Sequence, residues 1–206
     1  MHTMRLLIYG VGVIGCWYAA LFSKAGYDTT IYARGKRLDL FQKEGLRYDK
    51  KGKIHKADVK IIGRLEKADS YDFVFLSVKE NQVHTALEEL SHNISPNIVT
   101  MVNTIEGYEK WERLCGEGRI IPAFPGAGGS FQDGILKAAL TSYLIQPTTF
   151  AEINGLVKRV EENQHTMRDN MCGMFKKIMI ALASYGMQEK RDLYYLLLNG
   201  RKIEKR

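Results

Sequence analysis

"RLLIYGVGVIGCWYAALF", residues 5–22, passes from an apolar run through three glycines into a helical pattern. Leu6 to Tyr9 are continuously apolar and end at glycine, which predicts a short buried strand. From Val13 the apolar residues Ile14, Trp17, Tyr18, Leu21 and Phe22 fall at the spacing of one helix face. Between the two, Gly10, Gly12 and Gly15 fit the pattern G-x-G-x-x-G. A glycine turn from strand to helix gathers free backbone N–H groups and the positive helix end at one point, which suits a pyrophosphate. In that geometry Gly10 permits the tight turn, Gly12 the close approach of phosphate, and Gly15 the packing of helix on strand. A purely structural turn is the alternative. The strand before the loop and the helix after it supply the context that nucleotide binding requires.

The second strand bears on which nucleotide. A site for NAD usually has an acidic residue about twenty positions on, at the end of that strand, to hold the ribose 2′-hydroxyl. Here the strand reads "DTTIYARGKR", and no acid lies between Thr29 and Leu38. Arg34, Lys36 and Arg37 stand instead where a 2′-phosphate would sit. They form either a solvated basic loop or a phosphate contact, and together with the glycine loop they favour NADP(H).

The whole chain has 206 residues, 45% of them hydrophobic, and a net charge of +7. That length corresponds to one full domain plus a remainder, or to two small domains. The basic excess gathers in residues 34–60 and 156–206. Such a balance can serve nucleic acid, but zinc-ligand spacing, a recognition helix and aromatic-basic stacking motifs are all missing. An anionic cofactor explains part of the charge, and no nucleic-acid partner is expected. Cys16, Cys115 and Cys172 are far apart and form no C-x-x-C, as expected of free thiols in a reducing, cytoplasmic setting. No apolar stretch reaches the ~18 residues of a membrane span, and "MHTMRLL" lacks a long apolar leader, so no membrane partner is expected.

Further along, the pattern predicts a strand at Thr29 to Ala33 and a helix from Lys36 to Lys43 ended by Gly45. "LRYDKKGKIHKADVKIIG" reads as a hairpin turning at "DKKG", with alternation through Ile54, Ala57, Val59 and Ile61. "DFVFLSVK" (72–79) reads as a central strand followed by a helix over Gln82 to Leu90. "NIVTMVN" (97–103) reads as the next strand, followed by a helix near Tyr108 to Leu114. "RIIPAFPG" is another strand, and "GILKAALTSYLIQPT" reads as a strand pair. Strand and helix alternating at this spacing predict right-handed βαβ units, and hence an α/β, mostly parallel sheet of the doubly wound type. Ligands of such sheets sit beyond the carboxyl ends of the strands. Lys79 and Asn103 each follow an apolar run at such an end. Each is either a strand-end cap or a ligand contact, Lys79 to phosphate or ribose and Asn103 to ribose or a substrate carbonyl.

"YGVGVIG", "YARGKR", "FLSVKENQV" and "MVNTIEG" occur in an order and spacing that resembles the ketopantoate reductase family. "IIPAFPGAGGSFQDGILKAALTSYLIQPT" also resembles the stretch closing that family's nucleotide domain, a strand and then a hairpin with a D-G turn. The resemblance covers about residues 4–154. It implies a Rossmann-type NADP-binding domain over residues 1–154, and NADPH-dependent reduction of a 2-keto acid such as ketopantoate in pantothenate biosynthesis. Carried over residue by residue, Gly10, Val11, Gly12, Val13, Ile14 and Gly15 would form the pyrophosphate loop. Arg34 would contact the 2′-phosphate, Lys79 would lie near the cofactor, and Asn103 would touch nicotinamide ribose and keto acid. "MVNTIEG" departs from the family's N-G-hydrophobic-G pattern, with Thr104 in place of the first glycine.

After Gly155 the resemblance stops. The family continues into a long helical domain carrying a catalytic lysine and a substrate-binding glutamate, whereas residues 155–206 read as a short helical tail, a remnant or replacement of it. "MFKKIMIAL" resembles the lysine-bearing helix loosely, which makes Lys176 and Lys177 weak candidates for the acid. Met167, Met171, Met174, Phe175, Ile178 and Leu182 make an apolar helix face that needs a partner, either the sheet domain or a second copy in a homodimer. The tail reads as the truncated or frame-altered ending of a longer reductase, so impaired turnover is expected. A non-catalytic NADP(H)-binding remnant or sensor is the alternative.

Overall fold

A computed structural model of the chain describes residues 4–141 and 148–150. Cys172, Lys176, Lys177 and the apolar face from Met167 to Leu182 lie outside the described residues, as does the whole of the expected tail, residues 155–206.

The opening stretch folds as its pattern predicts, with strand β1 (Arg5–Tyr9), the glycine turn and helix α1 (Val13–Lys24). There follow β2 (Asp28–Tyr32), α2 (Gly35–Glu44), β3 (Arg47–Lys50), β4 (Lys53–Lys56), β5 (Lys60–Ile62) and β6 (Phe73–Leu76). A single 3-10 turn then leads into α3 (Val83–Ser91), β7 (Ile98–Thr100), α4 (Tyr108–Cys115) and β8 (Ile120–Phe124). A hairpin of β9 (Ala127–Gln132) and β10 (Ile135–Leu140), then β11 (Thr149–Phe150), complete the described elements.

The main sheet has the order β11-β8-β7-β6-β1-β2-β5. Its strands pair in parallel throughout, except that β11 runs antiparallel to β8 at the edge. This is the α/β, doubly wound, Rossmann-type architecture. Successive residues of a strand point to opposite faces, and the core divides accordingly. Leu7, Tyr9, Val74 and Leu76 pack with Val83, Leu87 and Leu90 of α3 and with Trp111 of α4. On the other face, Phe75 packs against Phe22 of α1, with ring centroids 4.6 Å apart.

Helix α1 is buried from Gly15 through Phe22 without a break, although its sequence predicts a single apolar face. The reason is a second sheet, of order β4-β3-β10-β9, that packs on the side of α1 away from the main sheet. Trp17 meets Tyr48 of β3 there, edge to face at 6.1 Å.

One expectation needs correction, and a second lies partly outside the described residues. The hairpin at "DKKG" forms between β3 and β4, but the alternation from Ile54 to Ile61 does not belong to one strand. β4 ends at Lys56, and β5 crosses into the main sheet beside β2. In the stretch "GILKAALTSYLIQPT", expected as a strand pair, only the first strand, β10, lies among the described residues with its pairing. β10 pairs with the preceding β9 through the two-residue turn Asp133-Gly134, whose φ angles of +49° and +75° match a tight primed hairpin turn. β11 joins the other sheet, and residues 142–147 lie outside the described ones.

Cys16 and Cys115 are free, buried thiols, and burial pushes the Cys16 thiol up to about 12. No helix among the described residues is long and apolar enough to cross a membrane.

Candidate functional site

The strand order reverses between β1 and β6, since the chain builds outward through β2 and β5 on one side and through β7 and β8 on the other. In open parallel sheets a crevice opens at such a point, outside the carboxyl ends of the strands. The loops leaving these two strands touch. Ser77, the first residue after β6, donates from its hydroxyl to the Gly10 carbonyl over 3.0 Å.

The three glycines have three distinct reasons to be glycine. Gly10 adopts a φ of +114°, and a Cβ there would stand 2.6 Å from the Ser77 carbonyl oxygen. A Cβ on Gly15 would stand 2.0 Å from the Gly10 oxygen and 3.0 Å from the Ile8 side chain, so helix and strand touch at this point. Gly12 has an ordinary φ of −77° as the N-cap of α1, and its Cβ position faces open space. Among the described residues no side chain caps that helix start, and no acidic residue occupies its first turn. The N–H groups and the helix dipole are therefore left for something outside the helix.

Beside this loop lies a cleft of about 460 Å³ lined by Ile14, Lys79, Asn103, Met101, Phe124 and Pro125, among others. It brings Lys79 and Asn103, 24 positions apart, into one space with Ile14 in the first turn of α1. Phe124 and Pro125, from the end of β8, were not anticipated as lining. Their signal was the same one that flagged Asn103, a strand end in a parallel sheet.

The loop carrying Asn103 is held by its own residues. The Glu106 amide donates to the Thr104 hydroxyl over 2.9 Å, so the threonine at the family's glycine position has a local role. The Glu106 carboxylate accepts from Trp111 Nε1 at 2.9 Å and pairs with His84 at 2.7 Å and Lys110 at 3.3 Å. The hydrogen bond with His84 first, then that from Trp111, hold this carboxyl down at about 2.

Arg34 is not in that cleft. It precedes α2 at the end of β2, and its guanidinium lies 2.6 Å from the Glu89 carboxylate of α3. It also donates to the Tyr9 hydroxyl and stands 4.8 Å over the Tyr32 ring. Both tyrosine hydroxyls donate to Glu89, Tyr32 over 2.7 Å. Burial first, and the neighbouring Glu89 second, raise both phenols above their ordinary value. The expected basic cluster is thus dispersed. Lys36 is exposed, and Arg37 turns to the second sheet, with its guanidinium 3.8 Å from the centre of the Phe131 ring. Glu89 is the group that sequence reasoning missed. An acid does stand near the end of β2, but it comes from a helix 55 residues further along.

Comparison with known proteins follows the same lines. A family model described as "Ketopantoate reductase PanE/ApbA" matches residues 6–154. A 2-dehydropantoate 2-reductase of Mesorhizobium japonicum is 27% identical over 80% of this chain and 51% of its own length. One from Aquifex aeolicus is 29% identical over 58% of this chain and 38% of its own. The chain thus spans about half or less of the length of these curated relatives. Among solved structures, 2-dehydropantoate 2-reductase from Geobacter metallireducens superposes with a TM-score of 0.66, at 19% identity over 85% of this chain and 56% of that one. D-mandelate dehydrogenase, solved with NADH and anilino(oxo)acetate, gives 0.65 at 18% identity over 85% of this chain and 55% of that one. At such identities the structures establish a shared fold.

Proposed function

The chain belongs to the ketopantoate reductase PanE/ApbA family, whose model spans residues 6–154, and from that premise we propose that it binds NADP(H) and takes part in reducing a 2-keto acid such as ketopantoate. One observation carries the reading. Ile14, at the start of α1 beside the glycine turn, lines one cleft with Lys79 and Asn103, next to the point where the strand order reverses, the place at which such sheets hold dinucleotides.

The residues present fit the cofactor. The open Cβ position of Gly12 and the uncapped start of α1 leave room and N–H donors for a pyrophosphate, alongside Val11, Val13 and Ile14. Arg34 at the end of β2 supplies positive charge for a 2′-phosphate. Lys79 is assigned to phosphate or ribose, and Asn103 donates its amide to the nicotinamide ribose or to the substrate carbonyl. When bound, the dinucleotide supplies the hydride. The chain has to orient the carbonyl and deliver a proton to its oxygen, a contribution of typically 10²–10⁴-fold.

A second reading is an NADP(H)-binding module without turnover. It is favoured by one feature of the cleft, whose ionisable described residues, Lys79 and Glu80, are both exposed to solvent. A purified-protein assay following NADPH oxidation with ketopantoate, preceded by calorimetric titration with NADPH, separates the two readings. Binding with turnover supports the reductase, and binding alone supports the module. Absence of binding defeats both. Loss of turnover on Lys176→Ala or Lys177→Ala would assign the proton donor to that pair.

A further inference from the structure

The contacts of Arg34 carry an inference beyond cofactor binding itself, and it rests on the reading of Arg34 as the 2′-phosphate contact. We propose that Glu89 sets the cofactor preference of this chain: it is the carboxylate that a 2′-phosphate has to displace from Arg34, and that NADH leaves in place. The guanidinium is engaged on several sides, by Glu89 at 2.6 Å, by the Tyr9 hydroxyl, and by the Tyr9 and Tyr32 rings at 5.6 and 4.8 Å. Glu89 is itself fixed by hydrogen bonds from both tyrosines. The two phenols therefore hold the acid against the arginine, and a phosphate arriving at Arg34 meets a negative charge already seated there.

Proteins that prefer NAD place an acid at the end of the second strand, where it accepts from the ribose 2′-hydroxyl. This chain has none there in sequence, and α3 delivers one in space. Arg34 and Glu89 thus pull in opposite directions at one spot, the first toward NADPH and the second toward NADH. The outcome is a weaker preference for NADPH than the basic sequence "ARGKR" implies. Both side chains are partly open to solvent, at 56% and 32% exposure, so the competition is of the size of an exposed ion pair, roughly two- to fivefold in affinity.

The test is a double-variant cycle, titrating the full chain with NADPH and with NADH. Glu89→Gln keeps the side-chain volume and removes the charge. It is expected to tighten NADPH roughly two- to fivefold, by release of that ion pair, while NADH stays level or weakens. In an Arg34→Met background, where no ion pair is left to release, the same change is expected to move the ratio of the two affinities less than it does in the wild-type background. A general loss of structure would weaken both cofactors together and leave their ratio alone. An unaltered ratio in Glu89→Gln, or weaker NADPH binding at constant NADH binding, overturns the proposal while cofactor binding stands. A wild-type chain that binds neither dinucleotide overturns the cofactor reading and this inference with it.

Discussion

The Ser77 hydroxyl donates to the Gly10 carbonyl over 3.0 Å, linking the loops that leave the two central strands 67 residues apart. The same hydroxyl oxygen would lie 2.4 Å from a Cβ on Gly15. Loop, helix start and neighbouring strand end are therefore one packed unit, and the open side of that unit is at Gly12.

Two glycine substitutions are expected to separate stability from binding. Gly15→Ala forces a methyl against a backbone carbonyl and is expected to cost roughly 1–3 kcal/mol, as overpacking does, read from urea denaturation. Gly12→Val enters open space at a φ that valine accepts, so stability should change by less than about 0.5 kcal/mol. It should nevertheless abolish NADPH binding by calorimetry. Normal binding in that variant would make the loop a structural turn.

Arg34→Met should weaken NADPH by about tenfold and leave NADH nearly level. A charge-assisted bond is worth about 1.5–3 kcal/mol, and the exposure of Arg34 places the effect at the low end. Equal loss for both cofactors would remove Arg34 from the 2′-phosphate.

Glu106 makes stability depend on acid pH. Its carboxyl is lowered from 4.5 to about 2 in the folded chain, so its contribution is present above the unfolded value and is lost as pH falls through the folded one. The denaturation midpoint of wild type should exceed that of Glu106→Gln at neutral pH. This advantage should shrink between about 4.5 and 2. A constant difference across that window would show that the ionised carboxylate is not what stabilises the loop.

Arg119 is expected to be a large single contributor to stability. Its guanidinium donates to the carbonyls of Leu90, Asn93, Ser95 and Cys115, joining the carboxyl ends of α3 and α4 at the negative ends of their dipoles. Arg119→Met leaves those acceptors without their donor and should cost roughly 2–3 kcal/mol. Arg119→Lys should recover only part of it, because an ammonium lacks the planar fork that reaches several carbonyls. A loss below about 0.5 kcal/mol in the methionine variant would contradict this assignment.

The sequence by itself determined the strand-loop-helix at residues 5–22, the alternation of strand and helix, the hairpin at "DKKG" and the strand ends carrying Lys79 and Asn103. Each of these is a local matter, a periodicity of 2 or 3.6 or a turn residue with a required φ, and reads from a few neighbouring positions. Only the tertiary structure decided where those segments went. The run from Ile54 to Ile61 keeps one alternation, yet β4 and β5 enter different sheets, because period 2 states which side is apolar and not which partner covers it. The burial of α1 on both sides followed from the second sheet docking on Trp17. Arg34 and Arg37 look alike in "ARGKR", yet one meets Glu89 and the other Phe131. An ion pair depends on which helix packs beside a strand, and a partner 55 residues away leaves no mark on the local pattern.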